Sequence, residues 1–138
     1  MSEPIEWIRS GDEVLGIIIR SSCRPEKTEF LTPDDYNQQV GFVVHPAGTE
    51  ISSHFHLAVK RSFEVTTEVL FLRSGRASID FYGSNRVFVT SRELAPGDAV
   101  ALTGGGHGIR FIEDSVFLEI KQGPYVGPAE KQTFVPRQ

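Results

Sequence analysis

Three histidines stand at positions that suit metal binding. His54 and His56 are separated by one residue, and His107 follows a run of three glycines. In an extended strand, side chains two residues apart project from one face, about 6 to 7 Å apart along it. Two such imidazoles can chelate one ion, although the commoner interpretation of this pair is a polar strand face. His45 precedes Pro46 at the end of a predicted strand and is interpreted as a surface or turn histidine.

A predicted β-hairpin directs one carboxylate inward. With Ser74-Gly75 as a two-residue turn, Glu68 lies opposite Phe81. A bare carboxylate among apolar side chains is costly, so a cation or hydrogen-bond donors are expected beside it. The alternation of side chains predicts two faces. The inward face carries Glu68, Leu70, Leu72, Ala77, Ile79 and Phe81, and the solvated face carries Ser78, Asp80 and Tyr82.

Short β-branched and aromatic runs, separated by glycine and proline, predict an all-β fold. No long segment shows the apolar spacing of a helix. The exception is a single helical turn from Thr32 to Tyr36, where a threonine cap precedes Pro33 and two acids. The predicted strands are Val14 to Arg20, Val40 to His45, Val69 to Leu72, Ala77 to Tyr82, Arg86 to Thr90, Ala99 to Leu102, Gly108 to Ile112 and Val116 to Lys121.

Length and composition narrow the organisation and the function classes. The 138 residues suit a single domain whose core needs no disulfide or structural metal. The 14 basic and 18 acidic residues form no basic stripe, which argues against nucleic acid binding. The lone cysteine, Cys23, excludes an internal disulfide. No apolar run approaches the roughly 20 residues that span a membrane, and the start of the chain is acidic, so we expect a cytoplasmic protein without membrane contact.

Two motifs resemble those of the cupin superfamily. The first consists of Gly48, His54, His56, Glu68 and Gly75, and the second is Pro96-Gly97-Asp98 leading to His107. The resemblance covers about residues 40 to 122. It implies an all-β, single-domain, cupin-like antiparallel β-barrel or jelly roll over residues 1–138. The prolines and the few apolar residues at the end of the chain predict an extended tail over residues 123–138.

The resemblance also implies one divalent metal ion held by four ligands, which are His54, His56, Glu68 and His107. Eleven residues, Leu57 to Thr67, separate the histidine pair from the glutamate. This gap is longer than is usual in the family and indicates an insertion at the mouth of the site. Glu64 is the alternative carboxylate ligand, but it lacks the glycine that follows Glu68 seven residues later.

Three imidazoles and one carboxylate form a mixed nitrogen and oxygen site. Iron, manganese, nickel, cobalt, copper and zinc all suit such a site. Four protein ligands leave one or two positions open for substrate or dioxygen. We therefore expect a metal-dependent protein that acts on a small polar metabolite by oxygenase-type or isomerase-type chemistry. The alternative is a non-catalytic cupin that binds a sugar or small acid as a sensor or storage module.

The polar neighbours of the predicted site help to choose between these reactions. Strand alternation places only Ser52 and Gln122 near it. A second predicted hairpin, with Asp114-Ser115 as its turn, directs Arg110 and Glu119 outward as a surface ion pair worth at most about 1 kcal/mol. The scarcity of proton-transferring side chains favours dioxygen chemistry or plain binding over isomerisation.

The first predicted strand indicates a homodimer. Val14 to Arg20 contains the consecutive isoleucines 17, 18 and 19, which implies burial on both faces. A small barrel has few places to bury both faces of a strand. We therefore expect edge strands of two copies to pair or to be exchanged.

Overall fold

The computed structural model describes residues 4–136. The chain divides into two compact units, one formed by Met1–Cys23 with Thr66–Gln138 and the other by Arg24–Val65. The last two residues of the predicted tail lie outside the described range. The single-domain organisation stays a prediction.

Ten strands make up almost all of the regular structure. Among the described residues, Pro128–Glu130 is the only helical segment, a single 3-10 turn. None of the described helical residues forms a helix of the length and apolarity that crossing a membrane requires. The strands are β1 (Ile5–Ser10), β2 (Glu13–Ile19), β3 (Glu29–Phe30), β4 (Gly41–Phe42), β5 (Glu68–Ser74), β6 (Ala77–Tyr82), β7 (Phe88–Leu94), β8 (Ala99–Leu102), β9 (Gly106–Phe111) and β10 (Val116–Lys121).

The first unit contains two antiparallel sheets around one core. Five strands pair in the order β1-β2-β8-β5-β10, and three pair in the order β7-β6-β9. Gly16 of β2 lies against the Phe81 ring of β6, since a Cβ atom at Gly16 would come within 2.8 Å of it. The core draws on both sheets, and its buried members include Leu15, Ile18, Leu70, Leu72, Ile79, Phe81, Leu94 and Val100.

The all-β prediction is confirmed, and several strand bounds agree closely. β6, β8 and β10 have the predicted limits, and β2 is shifted by one residue. The inward apolar residues of the first predicted hairpin are all buried. The two sheets are open among the described residues.

The pairing predicted for the first hairpin is wrong. β5 pairs with β8 and β10, whereas β6 pairs with β7 and β9. Gly75, with φ +92°, stands in the turn between strands of different sheets, and this backbone conformation favours glycine. Strand alternation fixes which face a residue occupies, but it does not fix the sheet to which the strand belongs.

The predicted solvated face of β6 is buried instead. Asp80 is 3% exposed and accepts hydrogen bonds from Arg110 at 3.0 and 3.2 Å and from Ser91. Tyr82 packs against Phe88 and Phe134. Arg110 therefore pairs with Asp80 across β6 and β9, and the predicted pairing of Arg110 with Glu119 is wrong.

The second unit has little regular structure. Its two strands, β3 and β4, pair with each other. In place of a helix, the segment from Thr32 forms a turn in which the Tyr36 N–H donates to the Pro33 carbonyl. The strand expected around His54 and His56 is also absent. Residues 43–67, all of them described, contain no strand.

Candidate functional site

Glu68 and His107 meet in the first unit, one from each sheet. Glu68 begins β5 and pairs with Leu102 of β8. His107 lies on β9, opposite Phe81 of β6. The Glu68 Oε1 and His107 Nε2 atoms are 2.8 Å apart, and the side chains are 16% and 32% exposed. The structure thus joins two predicted ligands that lie 39 positions apart in the chain.

The environment of Glu68 favours its charged form. The hydrogen bond from His107 is the main reason that the pKa of Glu68 falls to about 2. Burial acts in the opposite direction and is outweighed. A hydrogen bond with Glu119 and the positive charges of His107 and Lys121 add to the lowering. The Glu68 carboxylate is therefore negatively charged over the whole physiological range of pH.

Glu119 is a second carboxyl group in contact with Glu68. Its hydrogen bond with Glu68 raises the pKa of Glu119, and burial and the negative charge of Glu68 act in the same direction. The Glu119 carboxyl therefore holds its proton more readily than a free glutamate does. Glu119 lies on β10, the strand that pairs with β5.

Glu119 and Lys121 adjoin Glu68, and the sequence patterns do not indicate this. The predicted hairpin pairs β10 with β9, whereas in the structure β10 pairs with β5 and places Lys121 opposite Glu68. This pairing joins strands that are far apart in the chain. The alternation in β10 marks Phe117, Glu119 and Lys121 as one face, but no local signal in the sequence identifies β5 as the neighbour.

An amide group adjoins the same strand end. The Gln122 Oε1 atom accepts a hydrogen bond from the Thr67 N–H at 2.9 Å. Its Nε2 atom is buried without a hydrogen-bond partner among the described residues. A buried donor without a partner is costly, so it is a place where a ligand oxygen is stabilised. The Lys121 ammonium, nearby in sequence, lies 3.5 Å from a Glu130 carboxylate oxygen.

His54 and His56 form a pair within the second unit. Both are exposed, and their ring centroids are 5.2 Å apart. The His54 Nδ1 atom lies 2.7 Å from the Ser52 carbonyl oxygen. Because a carbonyl oxygen only accepts, this contact places the proton on Nδ1 and leaves Nε2 free to bind a metal. Glu64, the alternative carboxylate, is exposed in the same unit.

The four predicted ligands therefore form two pairs, each within its own unit. Two ligand atoms at adjacent positions of an octahedral ion, each about 2.1 Å from it, are about 3 Å apart. The 2.8 Å between Glu68 and His107 fits that spacing. Within residues 4–136, no group of three or more His, Cys, Asp or Glu side chains is arranged to hold a metal ion.

Comparisons of the chain with known protein families, with curated proteins and with solved structures found no match in any of the three.

Proposed function

We propose that the protein is a small cupin-like jelly roll that binds one divalent transition metal through His54, His56, Glu68 and His107, and that it acts on a small polar metabolite at the open metal positions. The contact between Glu68 and His107 carries the proposal. The two residues were selected from separate motifs, and they lie within hydrogen-bond distance in the folded chain.

The donor set supports a transition metal over calcium or magnesium. Glu68 supplies an anionic oxygen, and His107 supplies a ring nitrogen beside it. Imidazole ligands suit zinc, copper, iron, cobalt and nickel, whereas calcium takes oxygen ligands. With the histidine pair of the second unit, the set leaves positions for a substrate. A metal held by these residues would supply Lewis-acid chemistry, polarising a carbonyl or enolate oxygen of that substrate.

The surroundings of Glu68 support a polar, oxygen-bearing substrate. Gln122 offers a buried amide donor that pairs with no residue of the described range, and Lys121 contributes positive charge at the same strand end. Glu119 offers a carboxyl group in contact with Glu68, and such a group can exchange a proton with a bound molecule. This neighbour favours isomerase-type proton transfer over the dioxygen chemistry that the sequence alone favoured.

Metal retention tests the proposal. The full chain is equilibrated with Co²⁺, dialysed and analysed for cobalt. About one cobalt ion per chain is expected. Glu68→Gln and His107→Ala should weaken retention at least about tenfold, because the first removes the negative charge that faces the cation and the second removes a ligand.

Two variants serve as matched controls. His45→Ala removes the remaining histidine, and Glu64→Gln removes the competing carboxylate; neither should change the cobalt content. Equal cobalt contents in His107→Ala and His45→Ala would contradict the proposal. If Glu64→Gln lost its cobalt and Glu68→Gln kept it, Glu64 would be the carboxylate ligand in place of Glu68. A metabolite that binds the metal-loaded protein but stays unchanged would assign the binding role in place of catalysis.

A further inference from the structure

Residues 51–65, termed the arm, carry the sequence pattern of an amphipathic β-strand. Such a strand alternates between two faces with a period of two. Most odd-numbered positions of the arm are apolar, and most even-numbered positions are polar. The apolar residues are Ile51, Phe55, Leu57, Val59, Phe63 and Val65, and the even-numbered ones are Ser52, His54, His56, Ala58, Lys60, Ser62 and Glu64.

The structure leaves this pattern without a partner. Every residue of the arm is exposed, and none of them lies in a strand. Phe55 is 94% exposed and Leu57 is 84% exposed. A run of large apolar side chains this exposed marks an interaction surface in a folded protein. The closely spaced rings of His54 and His56 are those of side chains two residues apart on one side of an extended chain.

A free sheet edge carries the other half of the proposed metal site. β9 is the last strand of its sheet and pairs only with β6 among the described strands. It bears His107, which contacts Glu68, and it ends in Phe111, which is exposed. The unpaired N–H and C=O groups of an edge strand accept a further strand.

We propose that the arm of one copy adds to the β9 edge of a second copy, so that His54 and His56 complete the metal site of Glu68 and His107 in trans. The shared metal site rests on the proposed function. The pairing of the arm with β9 is independent of any metal. Each copy carries one histidine pair and one glutamate-histidine pair, so a reciprocal exchange fills both sites and covers both arms.

A second copy fits this surface better than an unrelated protein does. Closed twofold symmetry gives each arm an identical acceptor and leaves neither β9 edge unpaired. A stable dimer buries about 1,200 to 2,000 Å² in total. A fully covered aromatic side chain buries about 150 to 250 Å². Because Phe55 is 94% exposed and Phe63 is 44% exposed, the two arms together supply several hundred square ångströms of that area.

Complementation between two defective chains tests the exchange. One full-length chain carries His54→Ala and His56→Ala, and the other carries Glu68→Gln and His107→Ala. Each is unfolded and refolded alone and in an equimolar mixture, then loaded with Co²⁺ and dialysed. Half of the dimers in the mixture contain one chain of each kind, and each such dimer regains one of its two sites. The mixture should therefore hold about a quarter of the wild-type cobalt per chain. Cobalt in the mixture no higher than in the separate variants would overturn the exchange and assign the site to a single chain.

Sedimentation tests the pairing without using the metal. The wild-type chain should be a dimer at micromolar concentration, and Phe55→Asp with Leu57→Asp should convert it to a monomer. The charge-matched Ala58→Asp with Ser62→Asp should leave it a dimer. A monomeric wild type, or a dimer that survives the Phe55 and Leu57 changes, would overturn the proposal. If the wild type binds no cobalt, the proposed function fails, and this measurement alone decides the exchange.

Discussion

β6 and the arm differ in burial although both alternate in sequence. All six residues of β6 are buried, because β7 and β9 flank it and the core covers its inner face. None of the arm's residues is buried. The difference shows that alternation marks which residues share a face, whereas neighbouring strands decide whether the segment forms a strand and buries its apolar residues.

The sharpest contrast is between two phenylalanines. Phe81 on β6 is fully buried, so Phe81→Ala should lower the free energy of unfolding by about 3 to 5 kcal/mol. Phe55→Ala, at an almost fully exposed position, should leave it unchanged in dilute solution and lower it only at concentrations where the chain is a dimer. Denaturant unfolding at two protein concentrations measures both effects. A large loss in Phe55→Ala at low concentration would show that the arm packs within one chain.

The polar face of β6 offers the next effect. Asp80 is buried and accepts charged hydrogen bonds from Arg110, so Asp80→Asn should cost about 1.5 to 3 kcal/mol. Glu113→Gln removes a partner of Arg76 at 3.7 Å on an exposed surface and should cost no more than about 1 kcal/mol. Equal losses in the two variants would mean that the buried cluster contributes no more than a surface ion pair.

Gly16 and Gly108 both lie in strands, but Gly16 is tightly packed and Gly108 is not. A Cβ atom on Gly16 would meet the Phe81 ring at 2.8 Å, whereas one on Gly108 would meet nothing within 4 Å. Gly16→Ala should therefore destabilise the protein by about 1 to 3 kcal/mol through overpacking, and Gly108→Ala should not. Thermal unfolding of the two variants checks this. Equal midpoints would contradict the close packing of β2 on β6.

The smallest effect depends on pH. The pKa of Glu68 is lowered from 4.5 to about 2, so its stabilisation is fully present above pH 4.5 and is lost as the pH falls through 2. Glu119, whose pKa is raised, has the opposite sign and stabilises the fold only while it is protonated. Glu68→Gln should cost about 1 to 2 kcal/mol at neutral pH.

Unfolding measured from pH 7 to pH 2 tests this assignment. The difference between wild type and Glu68→Gln should shrink between pH 4.5 and pH 2, and the exposed Glu64→Gln should differ little from wild type throughout. A difference that stays constant down to pH 2 would show that His107 does not hold Glu68 in its charged form.

Sequence patterns predicted the core better than they predicted the neighbours in each sheet. Alternation correctly placed Leu72 and Ile79 inward, because a buried face imposes a period of two. It did not show that β5 and β6 separate into different sheets, since pairing over long sequence distances leaves no local signal. For that reason the sequence did not indicate that Glu119 lies beside Glu68, and the ligand roles of Glu68 and His107 stay predictions.

Diffraction at the cobalt absorption edge tests the central claim most directly. Crystals of the full chain loaded with Co²⁺ should show one anomalous peak per site, within about 2.0 to 2.3 Å of a Glu68 carboxylate oxygen and of the His107 Nε2 atom. The same peak should lie within bonding distance of a His54 and a His56 ring nitrogen. A cobalt peak bound only by the exposed histidine pair, with the direct contact between Glu68 and His107 intact, would contradict the claim.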